Sequence, residues 1–245
     1  MSGRIIRPQP VTKLPEIGKI KVGEKAEGQN FPRSLDYFKP AGDYAPLFWG
    51  TYGEKPNLLE IVFPSDDARE CCFERLELRD GAKLFADGDG ETFKVWSTKE
   101  ETYITMTVNE VPNLMDKLSQ KVGKPWRPIL TLRFMLLKVR SVMGVWSLST
   151  HAEASSIPEI VSTFDKVKEL SGGTVAGVPF DLSVSKVTSQ KPGSKSSFPV
   201  LKLVPNIGVN HLEMVGQLVA SGQKVRGILS EDIIERQAKL IGAPQ

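Results

Sequence analysis

The clearest ordering of apolar and polar positions lies in the carboxyl half of the chain. Ile129, Leu130, Leu132, Phe134, Met135, Leu136, Leu137 and Val139 predict a long strand, Ser141 to Met143 turn it, and Gly144-Val-Trp-Ser-Leu148 returns as a second. Ile160, Val161, Phe164, Val167 and Leu170 then fall at helical spacing across Ile157 to Leu170, with Ser156 as the expected cap and Gly172 and Gly173 as the stop. The same order follows again: Phe180 to Val187, a loop of Lys, Ser, Gly and Pro, Val200 to Val204, and a helix from Asn210 to Ser221 ended by Gly222. The two ββα units show no clear internal identity, and they predict one sheet with both helices on its inner face. A last amphipathic helix, Ser230 to Ile241, is expected to pack back on the fold or to serve a partner.

The amino half reads differently. Ile17-Gly-Lys-Ile20-Lys-Val22 alternates and predicts an edge strand within an arm otherwise rich in Pro, Gly and Lys. Tyr44 to Tyr52 predicts a short aromatic helix, Leu58 to Phe63 a buried strand, and Ser65 the cap of a short helix running to Cys72. A meander follows, with strands Phe73 to Arg79, Lys83 to Ala86 and Thr92 to Trp96 separated by the turns Asp80-Gly81 and Asp87 to Gly90. Tyr103 to Val108 adds a strand, and a helix with Pro112 in its first turn runs to Gly123. The expected class is α+β: mainly antiparallel sheet with helices on one face, and ββα units in the carboxyl-terminal half. The expected divisions are a basic arm over 1–30, a β-rich region over 31–108, a ββαββα region over 109–225 and a terminal helix over 226–245. Residues 31–225 can equally form one continuous domain.

Charge sharpens this outline. The net charge is +3, yet Glu60 to Glu101 holds 12 acidic and 6 basic residues, so the rest carries 26 − 17 = +9. Lys121 to Arg140 contains no acid and carries Lys121, Lys124, Arg127, Arg133, Lys138 and Arg140; a second acid-free stretch adds Lys186, Lys191 and Lys195. Lys and Arg neutralise phosphates and aromatic rings stack on bases, so these nine residues and Trp126 form the expected nucleic-acid-binding set. Two readings of Trp126 stand side by side, a stacking platform in Lys124-Pro-Trp126-Arg127 and a cap on the core. The loop from Ser185 to Ser197 also reads as a solubilising hairpin.

Catalytic chemistry finds little support. His151 and His211 stand outside any nucleophile–base motif and read as structural. Asp87-Gly-Asp89-Gly-Glu91 has the alternating carboxylates that open a calcium loop, but the late Glu of that loop is missing and a tight glycine turn is the better reading. The adjacent Cys71 and Cys72 suit two unlinked thiols in a reducing compartment. No cofactor, no metal and no enzymatic activity are expected, nor a membrane span or secretion signal, and the expected address is cytoplasmic.

Two segments carry a family likeness: Leu14-Pro-Glu-Ile-Gly18-Lys-Ile20-Lys-Val-Gly23, and Gly144-Val-Trp146-Ser-Leu148-Ser-Thr150-His151 with Ala154 and Ile157-Pro158. They resemble the "Leu-Gly-x-Ile-basic-Leu-Gly" and "Gly-Val-Trp-x-Leu-x-Ser-His" segments of the phage recombination directionality factor-like family, with agreeing spacing across roughly the first 170 residues. The resemblance implies a bacteriophage protein, acting in the host bacterial cell, that binds a large serine integrase on its attachment-site DNA and biases recombination toward excision. It transfers no catalytic set, and it gives Gly144, Trp146 and His151 a role in stabilising a strand-to-helix turn. Some relatives carry middle-region cysteines suited to a metal, which this chain lacks. The alternative is a single-stranded DNA-binding or annealing protein of phage replication.

Overall fold

A computed structural model of the chain describes residues 14–25, 32–139, 141–188, 197–223, 225 and 227–240. The alternation from Ile17 forms β1 (Glu16–Lys25), which pairs antiparallel with β2 (Pro32–Ala41). Then come the aromatic α1 (Ala45–Tyr52), β3 (Leu58–Val62) and the single turn α2 (Ala68–Cys71). The meander comprises β4 (Cys72–Asp80), β5 (Lys83–Gly88), β6 (Thr92–Ser97) and β7 (Thr102–Thr107), followed by α3 (Leu114–Val122). One ββα unit is β8 (Arg127–Leu136), β9 (Val145–Thr150) and α4 (Ser156–Leu170). The other is β10 (Pro179–Thr188), β11 (Ser197–Pro205) and α5 (Val209–Ala220), after which α6 (Glu231–Leu240) ends the described chain.

The expected α+β class, mostly antiparallel, is what the chain forms. The strands join in the order β11-β10-β3-β8-β4-β5-β6-β7, with β9 on β8, β1 beyond β9 and β2 outermost. β8 is the hub of this sheet. Its amino half pairs with β4 and its middle with β9, while Leu136 and Met135 at its end pair with Ile61 and Val62 of β3. Leu130, Leu132, Phe134 and Leu136 point into the core, as a period of two requires, and leave Arg127, Thr131 and Arg133 on the outer side.

Two cores result. The larger gathers Leu59, Ile61 and Phe63 of the β3 segment with Ile160, Phe164 and Val167 of α4 and Leu212, Val215 and Leu218 of α5, so both ββα helices cover the same interior. Phe63 meets Phe164 and Phe180 edge-on at 5.1 and 5.2 Å. The smaller core lies under the meander, where α3 inserts Leu114 and Leu118 against Leu78, Phe93 and Val95.

Several local expectations change. β1 is not an edge strand, because it pairs with β2 on one side and in parallel with β9 on the other. Ser156 is not the cap of α4: that position belongs to Ser155, and the fully buried Ser156 accepts a hydrogen bond from the Leu201 N–H at 2.9 Å, tying the helix to β11. The cap of α2 is Asp67, whose Oδ1 accepts from Arg69 N–H, and Ser65 accepts in turn from Asp67 N–H. Pro112 precedes α3, which starts at Leu114 after Asn113 at φ 57°.

Cys71 ends α2 and Cys72 opens β4, both as buried free thiols. Burial pushes the Cys71 thiol up to about 12 and raises that of Cys72 as well. The reactive species is the thiolate, so neither thiol is expected to react with an aromatic disulfide reagent at about pH 8 until urea unfolds the chain. Stoichiometric labelling of the native protein, followed by absorbance, would show this helix-to-strand junction to be open.

Candidate functional site

Of the ten residues marked by the sequence, the seven described ones lie on α3, on the connection after it, on β8 and the segment just beyond it, and on β10. Lys121, on α3, holds its Nζ 5.3 Å from the Phe85 ring centre, and Lys124 lies exposed beyond the helix end. Trp126 is half-buried: its Nε1–H donates to the Met115 carbonyl at 3.0 Å and its ring lies 4.9 Å from that of Phe93. It is a cap on the smaller core. Arg127 opens β8 opposite Glu77. Six residues on, about 20 Å along an extended strand, Arg133 donates to the Leu14 carbonyl at 3.3 Å. Lys138 pairs with Glu60 at 3.2 Å and sits 6.0 Å from the Tyr52 ring centre. Lys186 lies on β10, across β3 from the rest. Arg140, Lys191 and Lys195 lie outside the described residues.

A different set of residues meets where the two family-like segments come together. β1 and β9 run in parallel, with Gly18 beside Trp146 and Ile20 beside Leu148. A methyl group on Gly18 would stand 2.7 Å from Trp146 Cε3, and one on Gly144 would stand 2.9 Å from the Pro15 carbonyl oxygen, so each segment contributes a glycine to admit the other. The Trp146 ring, 1% exposed, packs 5.7 Å from Phe48 of α1. Past Thr150 the chain leaves the sheet and turns through 151–155 into α4, while β1 continues. His151 steadies this turn, with Nδ1 3.1 Å from the Pro128 carbonyl.

Between the continuing β1, the start of β2, the 151–155 turn and the start of β11 lies a groove of about 750 Å³. Its apolar lining comes from Ile20, Val22, Ala154, Phe198 and Pro199; Lys19, Lys21 and Arg33 supply charge and Ser147, Ser149 and Thr150 hydroxyl groups. Lys19 is 3.9 Å from Glu16 in an exposed pair, which weakly offsets its charge. Among the described residues, neither Lys21 nor Arg33 has a carboxylate within 4.0 Å. Glu24, cross-strand from Arg33, bonds Lys39 at 2.6 Å, and that hydrogen bond, helped by the charge of Lys39 and less by that of Arg33, holds its carboxyl below the usual range. The sequence reading passed over this groove because its cations lie in or beside the segment taken for an arm. The alternation of Lys19 and Lys21 with Ile20 and Val22 was the available signal.

The other polar candidates have structural partners. Asp87 forms an ion pair with Arg75, and Asp89 Oδ1 accepts from the N–H groups of Thr92 and Glu91, which lower its pKa. The ring nitrogens of His211 lie 3.3 Å from Glu231 and Glu235, linking α5 to α6.

The class defined by this architecture is an α+β sheet protein with an open groove lined by cations, hydroxyl groups and aliphatic surface. Over residues 17–206 the chain matches the family model of Gp3-like, recombination directionality factor-like proteins, and it belongs to that family. The match runs from β1 to the loop after β11, so it spans the whole sheet and both walls of the groove. No curated protein and no solved structure matches the chain. Among the described residues, no helix is long and apolar enough to cross a membrane.

Proposed function

We propose that the protein is a non-catalytic regulator of DNA recombination, which binds a phage serine integrase on its DNA sites and turns the reaction toward excision. The family match over residues 17–206 carries this reading. The action is one of linkage. An integrase has several synaptic arrangements, and a protein that binds one of them more tightly shifts the population toward it without taking part in strand exchange. Moving such an equilibrium from 1:99 to 99:1 requires a preference of about 10⁴-fold, or about 5.5 kcal/mol, which is within reach of a moderate protein interface.

The test is recombination in vitro with a phage serine integrase and its attachment sites. Excision between the prophage-end sites is expected only when the protein is added, together with a slower-migrating species in a gel-shift of integrase on those sites. Unchanged mobility and unchanged direction would sink the proposal. Single-strand annealing is the weaker reading, because the indole of Trp126 is engaged in the smaller core and is not offered to a base.

A further inference from the structure

We infer that the groove between β1, β2 and the 151–155 turn is the seat of a protein segment: an apolar anchor of the partner, flanked by carboxylates. The inference rests on the recombinase-binding reading above and specifies which surface of this chain the integrase grips.

Size, lining and charge agree. A volume of about 750 Å³ lies within the range of roughly 300–1,000 Å³ of concave ligand clefts, large enough to take an apolar side chain. The lining includes the aliphatic Val22 and Ala154, with the buried Ile20 at its floor, which suits a Leu, Ile or Met side chain. Lys21 and Arg33, both exposed and neither within 4.0 Å of a carboxylate among the described residues, stand beside it, with Glu24 exerting only a secondary pull on Arg33. Bringing partner carboxylates to two such cations adds attraction without displacing an internal ion pair, and a guanidinium matches a carboxylate at two nitrogens.

A nucleic acid fits this lining less well. Strand binding without sequence preference uses a continuous cationic track with aromatic platforms along it. Here Lys19 is partly offset by Glu16, Glu153 adds negative charge to the lining, and its described aromatic rings are Phe198 and the His151 imidazole, the latter held on the Pro128 carbonyl. The lining hydroxyl groups do not decide between the two, since Ser149 bonds Thr131, Thr150 accepts from the Ala152 N–H and Ser147 is buried.

The experiment compares the full-length wild type with the double variant Lys21→Glu/Arg33→Glu, its neutral counterpart Lys21→Gln/Arg33→Gln, and the charge control Lys99→Glu in the turn between β6 and β7. Circular dichroism and melting temperature establish that each is folded, as exposed positions allow. Affinity for the DNA-free integrase is measured by biolayer interferometry, and affinity for a labelled oligothymidylate by anisotropy at low salt. Charge reversal is expected to weaken integrase binding by roughly tenfold to a hundredfold, with a smaller loss for the neutral pair and none for Lys99→Glu. Reversal that leaves integrase affinity within about twofold, while wild type still redirects recombination, overturns the groove and spares the function. Loss of oligothymidylate binding with integrase affinity retained assigns the groove to nucleic acid and overturns the inference as well. A wild-type protein that neither binds integrase nor changes direction removes the functional reading itself, and the assigned partner with it.

Discussion

Replacing Trp146 with alanine is expected to lower the unfolding free energy by about 3–5 kcal/mol, the range for emptying a fully buried indole site. The ring is 1% exposed, contacts α1 through Phe48 and forms the surface on which Gly18 lies, so its loss opens a void under three elements at once. The informative result is the coupling. Gly18→Ala in the wild type forces a methyl group into the ring and should cost about 1–3 kcal/mol. In the Trp146→Ala background the same methyl enters space the ring has vacated, and most of its cost should vanish. Urea unfolding of the four proteins gives the coupling energy directly; simple additivity would mean that the two segments do not interlock through this pair.

Trp126→Ala carries the second large effect, about 3 kcal/mol, toward the low end for tryptophan because the ring is only half-buried. It removes the contact with Phe93 and the hydrogen bond to Met115 that fastens the connection after α3. Because the smaller core is separate, hydrogen exchange should rise first in β5, β6 and α3, and less in α4 and α5. Oligonucleotide affinity of the folded variant should stay near that of wild type. A stable variant with lost affinity would restore the stacking role that the sequence left open.

The particular residues show what local pattern can and cannot convey. The meander was legible because Asp80-Gly81 and the glycines after Asp87 interrupt strands whose partners are their neighbours in sequence, and β4 with β5 and β5 with β6 pair accordingly; the second turn is shorter than expected, since Asp87 and Gly88 are paired residues of β5 and only 89–91 bend. The α4 helix was legible through Ile160, Phe164 and Val167, all of which enter the core. Its cap was misplaced by one residue, since a serine that bonds a distant strand looks in sequence like a serine that caps a helix. The direction of Trp126 depended on Phe93 and Met115, which come from other elements. The place of β1 was hidden more deeply: alternation reveals a strand but not its partner, and the partner lies far along the chain. The groove depends on that pairing, so it was hidden too. Charge counting had the complementary weakness of treating acid-free stretches as free cations, although Lys138 finds Glu60 from β3.

The parallel pairing of β1 with β9 also bears on how the protein is made. Ile20 meets Leu148, a separation of 148 − 20 = 128 residues, so at translation speeds of about 5–20 residues per second the first strand waits roughly 6–26 s for its neighbour to be synthesised. During that time one side of β1 is an unmatched edge, open to pairing with another nascent chain. Lys19 and Lys21 lie on this strand, where positive charge discourages such pairing. The same lysines that border the groove of the finished protein thus lie on the edge that stays unmatched longest during synthesis.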